Sequence, residues 1–262
     1  MMPSDLAPQR RLLTFAPMID SELCRFLLWR YDVPYEEEPH LFGWASVLAL
    51  SHGGNGRIPL FYGTGLRVTG PRALVNHFDA ICPVDRKLIP APQPLRTLVE
   101  TDWDRFNGEL AAHTAVLAYF HLLPHPEILI EPFSRGIPAG EAALVRPLYP
   151  VVRRAFELLL QLSAGKAADA LIRIRAAFDF VNARLKDGRP FLAGDALTLS
   201  DLSFVTAAAP VLLPDGYTSP IPPLENMPEE MRAIVTELRQ YTAASFVEKI
   251  YSLREQAQPT VG

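Results

Sequence analysis

From Gly188 to Ala208 the chain reads Gly-Arg-Pro-Phe-Leu-Ala-Gly-Asp-Ala-Leu-Thr-Leu-Ser-Asp-Leu-Ser-Phe-Val-Thr-Ala-Ala, a turn followed by a Thr-x-x-Asp cap that opens a nearly uncharged helix. The first amides of any helix have no acceptor within it. Here the spacing lets the Asp201 carboxylate take the amide of Thr198 while the Thr198 hydroxyl takes that of Asp201. Beyond the cap the helix offers Leu202, Phe204, Val205 and then Ala207, Ala208 and Ala209. Such a helix is apolar on several sides and small enough for close approach, so it is built to be surrounded by other helices.

The phrase from Phe191 to Asp201 resembles the core-helix motif of the cytosolic glutathione transferases and their relatives, Phe-Leu-x-Gly-Asp-x-Leu-Thr-Leu-x-Asp. The resemblance implies a fold, an α/β thioredoxin-like N-terminal domain joined to an all-α C-terminal domain. It does not by itself imply a reaction, because enzymes, redox proteins and non-catalytic binding proteins share the motif.

Composition narrows the field. At 262 residues and 49% apolar content the chain has ample material for a large core. A net charge of -4 with both signs interspersed provides no basic field for nucleic acid. The longest apolar runs, such as Val205 to Leu213, are too short to cross a bilayer, and Met-Met-Pro-Ser-Asp at the start has no basic region followed by an apolar one, so a cytoplasmic protein with no membrane partner is expected. Cys24 and Cys82 are too far apart for a Cys-x-x-Cys pair and imply no disulfide framework.

The prolines mark the organisation. Pro90, Pro92 and Pro94 within Leu88 to Leu95 disfavour both helix and central strand, so the segment 85–100 reads as a linker between a domain over 10–84 and a helical one over 101–256. In the first, Arg11 to Ala16 reads as a strand, Ser21 to Tyr31 as a helix and Val33 to Glu38 as a second strand. Arg57 to Tyr62 and Leu66 to Val68 flank a Gly63-Thr-Gly65 hairpin, Pro71 opens a helix to Ile81, and the irregular stretch before the hairpin has room for one more helix. In the second, Trp103–Leu123, Glu141–Leu162, Ala167–Leu185 and Pro228–Arg254 are periodic, and Leu171, Ile174, Phe178, Val181 and Leu185 form a face for the capped helix. This helical part is longer than most of the resembling family, chiefly in Pro124–Gly140 and after Val211.

The resemblance implies glutathione as co-substrate and a cis bond at Ile58-Pro59 that exposes the backbone of Ile58 to its cysteinyl part. It places the usual thiol-activating Ser or Cys at Met18, and the tyrosine of other classes at Thr14. Ser21 is the nearest hydroxyl at the helix start; it, or Asp20, serves equally as a helix cap. Ser21 and Thr14 are thus the catalytic candidates. Where glutathione binders carry Glu or Gln followed by Ser, this chain has Gly70-Pro71, leaving Thr69 and Arg72 to hold the γ-glutamyl end, with Arg72 equally suited to a solvated surface. Met18, Trp103, Phe106 and His113, together with Tyr119, are the pocket candidates, and core or dimer contacts would explain the aromatic ones equally well. Cys24 and Arg25 are expected in the core and in a structural ion pair. His121 and His125 straddle Pro124 without a third ligand, so no metal is expected.

Two functions fit. One is a transferase conjugating the glutathione thiolate to a small apolar electrophile, as the resemblance suggests, in a homodimer. The other is an inactive relative that binds a protein or small molecule, to which the residues at Met18 and Gly70-Pro71 point.

Overall fold

The computed structural model describes residues 10–63 and 65–257. Thr64, in the expected Gly63–Gly65 hairpin, and the first nine residues, on which the N-terminal reading rests, lie outside them.

Four short strands form the sheet: β1 (Arg11–Thr14), β2 (Glu36–Pro39), β3 (Leu60–Gly63) and β4 (Leu66–Thr69), in the order β2-β1-β3-β4. β2 runs parallel to β1 through the crossover helix α1 (Ile19–Arg30), while β3 runs antiparallel to both β1 and β4. Leu12 and Leu13 are both fully buried, as expected for a central strand covered on two faces. The acidic β2 sits at an edge, where its carboxylates have cationic and hydroxyl partners: Glu37 accepts from Arg25 and Thr14, and Glu38 from Arg11 and Tyr62. Helix α2 (Trp44–Ser51) occupies the irregular stretch and α3 (Gly70–Ile81) follows β4.

The extended, proline-rich stretch ends sooner than the sequence suggests. Helix α4 (Gln93–Trp103) begins inside the segment read as linker, using Pro94 in its first turn, where a missing amide costs nothing. Trp103–Leu123, read as one helix, is α4, a π-helical segment Asp104–Leu110 and α5 (Ala111–Leu122). Pro124–Gly140 contains α6 (Pro126–Ser134), after which come α7 (Ala139–Leu159), α8 (Ala164–Leu185) and α9 (Leu199–Leu212). The last predicted helix is broken into α10 (Glu229–Leu238) and α11 (Thr242–Ala257), because the amide of Ala243 donates to Asn182 Oδ1 of α8 at 2.7 Å instead of continuing the ladder.

Every residue of α9 is buried. The Asp201 carboxylate accepts from the Thr198 amide (2.7 Å), the Thr198 hydroxyl (2.9 Å) and the Leu192 amide (2.7 Å), tying the preceding turn to the helix start. Phe204 packs against Phe106 and Phe178, with centroids 5.1 and 5.7 Å away; burying one such ring stabilises the fold by about 1.5–3 kcal/mol. α1 packs on α9 as well as on α3, so α3 and the helical part share this helix as a neighbour.

Candidate functional site

β1 delivers the chain to a tight turn in which the Met18 amide donates to the Phe15 carbonyl, and α1 begins at once. Met18 is the N-cap and has no capping side chain, so neither Ser21 nor Asp20 caps the helix. The Ile58–Pro59 peptide is cis. Pro59 immediately precedes β3, beside β1 in the sheet, and its carbonyl accepts from Gly70 at 2.9 Å. Gly70 has φ +78°, a conformation that favours glycine, at the position where the resemblance leads one to expect a side-chain acceptor.

At the first turn of α1 lies a cavity of about 260 Å³. Ala111, Ala115, Ala118 and Leu122 present one face of α5 to it, spaced at helical intervals. The alanines leave the room. Phe133 of α6 and Phe156 of α7 also line it, as do Tyr217 and Ser219 from the loop after α9. Rings adjoin around the wall: Phe15 lies 5.5 Å from Phe42 and 5.8 Å from Phe133, Phe42 lies 5.0 Å from Phe156, and Phe156 lies 4.8 Å from Tyr119. A polar hook holds α7 to the sheet side, where Glu141 contacts His40 Nδ1 at 2.6 Å and accepts the Leu41 amide at 2.9 Å.

Asp20, in the first turn of α1, is the one carboxyl lining this cavity. Burial is the larger influence on it and raises its pKa to about 6, against a smaller lowering by the nearby Asn107 side chain. Asn107 belongs to the π-helical segment, and its own Oδ1 is buried without a partner. Burial also raises the Tyr119 and Tyr217 phenols, keeping both neutral.

The residues singled out by sequence are scattered. Met18 and Tyr119 line the cavity. The Ser21 hydroxyl is buried and donates to the Phe15 carbonyl at 2.9 Å; that of Thr14 is buried and donates to Glu37 at 2.8 Å. Each has spent its single proton, so neither is free to donate to a thiolate in this arrangement. Arg72 does hold a carboxylate bidentately, but it is that of Glu100, at 2.6 and 2.7 Å, with Trp103 under its guanidinium at 5.6 Å. Phe106 is wholly buried against Phe180 and Phe204, away from the cavity, and His113 does not line it either. Thr69 is the N-cap of α3 without a side-chain capping bond.

Behind α1 lies a buried charge network. Glu22 accepts from Arg25 (2.8 Å), Arg254 (3.0 Å) and Thr218 (2.6 Å), and Arg25 reaches Glu37 (2.7 Å) and Ser219 (3.1 Å). Arg25 is therefore an ion-pair residue, as expected, and Cys24 is buried with its thiol pKa raised by desolvation.

No family model and no curated protein sequence matches the chain. Solved structures do. A glutathione S-transferase of Ceriporiopsis subvermispora in complex with glutathione aligns at a TM-score of 0.60 and 14% identity over 96% of this chain and 98% of that one. One from Methylobacillus flagellatus with glutathione bound aligns at 0.57 and 13% over 94% and 98%. A third, from Rhodospirillum rubrum, aligns at 0.52 and 17% over 91% of both. The fold is that of the glutathione transferases. Within this glutathione-transferase fold, sequence reasoning missed Asp20 as a cavity residue, Asn107 opposite it and the His40–Glu141 hook. Only the acidic first turn of α1 was a visible signal; the other groups meet across long separations.

Proposed function

We propose that this chain binds glutathione at the edge formed by Ile58–Pro59 and the start of α1, and presents its thiol to a small apolar compound held in the cavity. The observation that carries this reading is the cavity itself, apolar and abutting the N-terminal turn of α1 where Met18 stands. The two solved neighbours with glutathione bound support it. With the Ser21 and Thr14 hydroxyls engaged elsewhere, the amides of the first turn of α1 are the donors left for a thiolate. The γ-glutamyl end would lie near Thr69 and the start of α3, and would use Arg72 only by displacing Glu100. A cytoplasmic homodimer is part of this proposal.

Calorimetric titration with reduced glutathione at pH 7 to 8 tests it. A dissociation constant below about 1 mM, roughly 4 kcal/mol of binding, is the expected result. No heat from folded protein would overturn the glutathione reading and leave a binding module on the same fold.

A further inference from the structure

Asp20 is an unusual group to find on such a wall. The cavity is otherwise built from alkyl side chains, aromatic rings and two half-buried tyrosines, and its remaining polar group, Ser219, is a hydroxyl already accepting from Arg25. A lone carboxyl in an apolar site costs free energy unless something balances it. The rings on the wall add to this. Their neighbours meet at interplanar angles between 46° and 71°, so none stacks face to face on another and their electron-rich faces are not consumed by mutual stacking. One carboxylate among several aromatic faces is the chemistry that recognises an organic cation.

We propose that the cavity binds lipophilic ammonium compounds, the cationic head paired with Asp20 and enclosed by Phe15, Phe42, Phe156 and Tyr119. This rests on the acceptor cavity of the reading above but gives its ligand a cationic head in place of a wholly apolar one, and it does not require glutathione. The partial positive charge at the start of α1 opposes a cation there, but amounts to about half a charge, less than the full charge of the Asp20 carboxylate.

The groups around Asp20 do not balance it beforehand. Asn107 faces it from the π-helical segment and is neutral; Cys24 lies one turn on in α1, and Tyr119 and Tyr217 share the cavity, each neutral because burial raises its pKa. Glu22, Arg25, Glu37 and Arg254 pair with one another. With the Asp20 pKa raised to about 6, cation binding should strengthen as pH rises from 5 to 8 and the carboxylate forms.

The test compares phenyltrimethylammonium with its neutral isostere tert-butylbenzene, titrated without glutathione into the wild type and Asp20→Asn at pH 5 and pH 8. The expected result is at least about tenfold tighter binding of the cation at pH 8, a preference that shrinks at pH 5 and disappears in Asp20→Asn. Equal or weaker binding of the cation by the wild type at pH 8, or no binding of either compound, would overturn the proposal. The wild-type comparison stands whether or not the variant folds. A chain that takes the cation but not glutathione fails only the earlier reading; one that takes glutathione and ignores the charge fails only this one.

Discussion

Asp20 occupies a position whose environment favours its proton. An ordinary aspartate has a pKa near about 3.9, and here burial lifts it to about 6. A carboxyl with a folded-state pKa above its unfolded one gives stability that is fully present below about pH 4 and is lost as pH rises through about 6. Asp20→Asn keeps the shape and abolishes the titration. It is expected to exceed the wild type in stability by about 1–3 kcal/mol at pH 8 and to match it only at about pH 3.5, below the unfolded pKa, read from urea unfolding at the two pH values. How much of this was legible depends on distance along the chain. That an acid stands in the first turn of α1 is written in Ile19-Asp20-Ser21. That Asn107 comes to face it is not, because no local pattern brings it there. Ser21 illustrates the converse: its helix-start position suggested a donor toward a ligand, while the turn before α1 offers it the Phe15 carbonyl at bonding distance.

Among the elements, α9 was readable almost to the residue and the helices around it were not. The cap spans only Thr198 to Asp201, so its hydrogen bonds are fixed by spacing. Asp201→Ala strips acceptors from the Thr198 and Leu192 amides in a buried site, and is expected to cost about 2–4 kcal/mol. Urea unfolding measures the loss, and hydrogen exchange at those two amides should accelerate with it. The π-helical stretch Asp104–Leu110 leaves the apolar periodicity of its flanks nearly intact, which is why Trp103–Leu123 reads as one helix. The break between α10 and α11 likewise has no proline or glycine to announce it, since its cap is supplied by Asn182 from another helix. By contrast, the proline at the start of β3 and the hairpin glycines state local backbone requirements, and those parts of the sheet were legible.

For the molecule as a whole, α1 is the shared member: it flanks the cavity on one side and holds the charge network on the other. Glu22, Arg25, Glu37 and Arg254 sum to zero charge and satisfy one another, with Arg254 and Glu22 at most 5% exposed. Burial makes such a set costly to interrupt, although its intact contribution to stability is small. Arg254→Met leaves Glu22 with Arg25 as its only cation and should destabilise the protein by about 3–5 kcal/mol, measured by chemical denaturation. The loss should persist at high salt, because ions screen buried pairs poorly. The pairing also sets an order on the making of the protein. Glu22 and Arg254 are 232 residues apart, so a chain growing from the ribosome exposes α1 long before the helix that neutralises it exists. Until α11 emerges, the thioredoxin-like half carries an acid that its own residues balance only in part, and the pair that completes the balance can form only once α11 has been made.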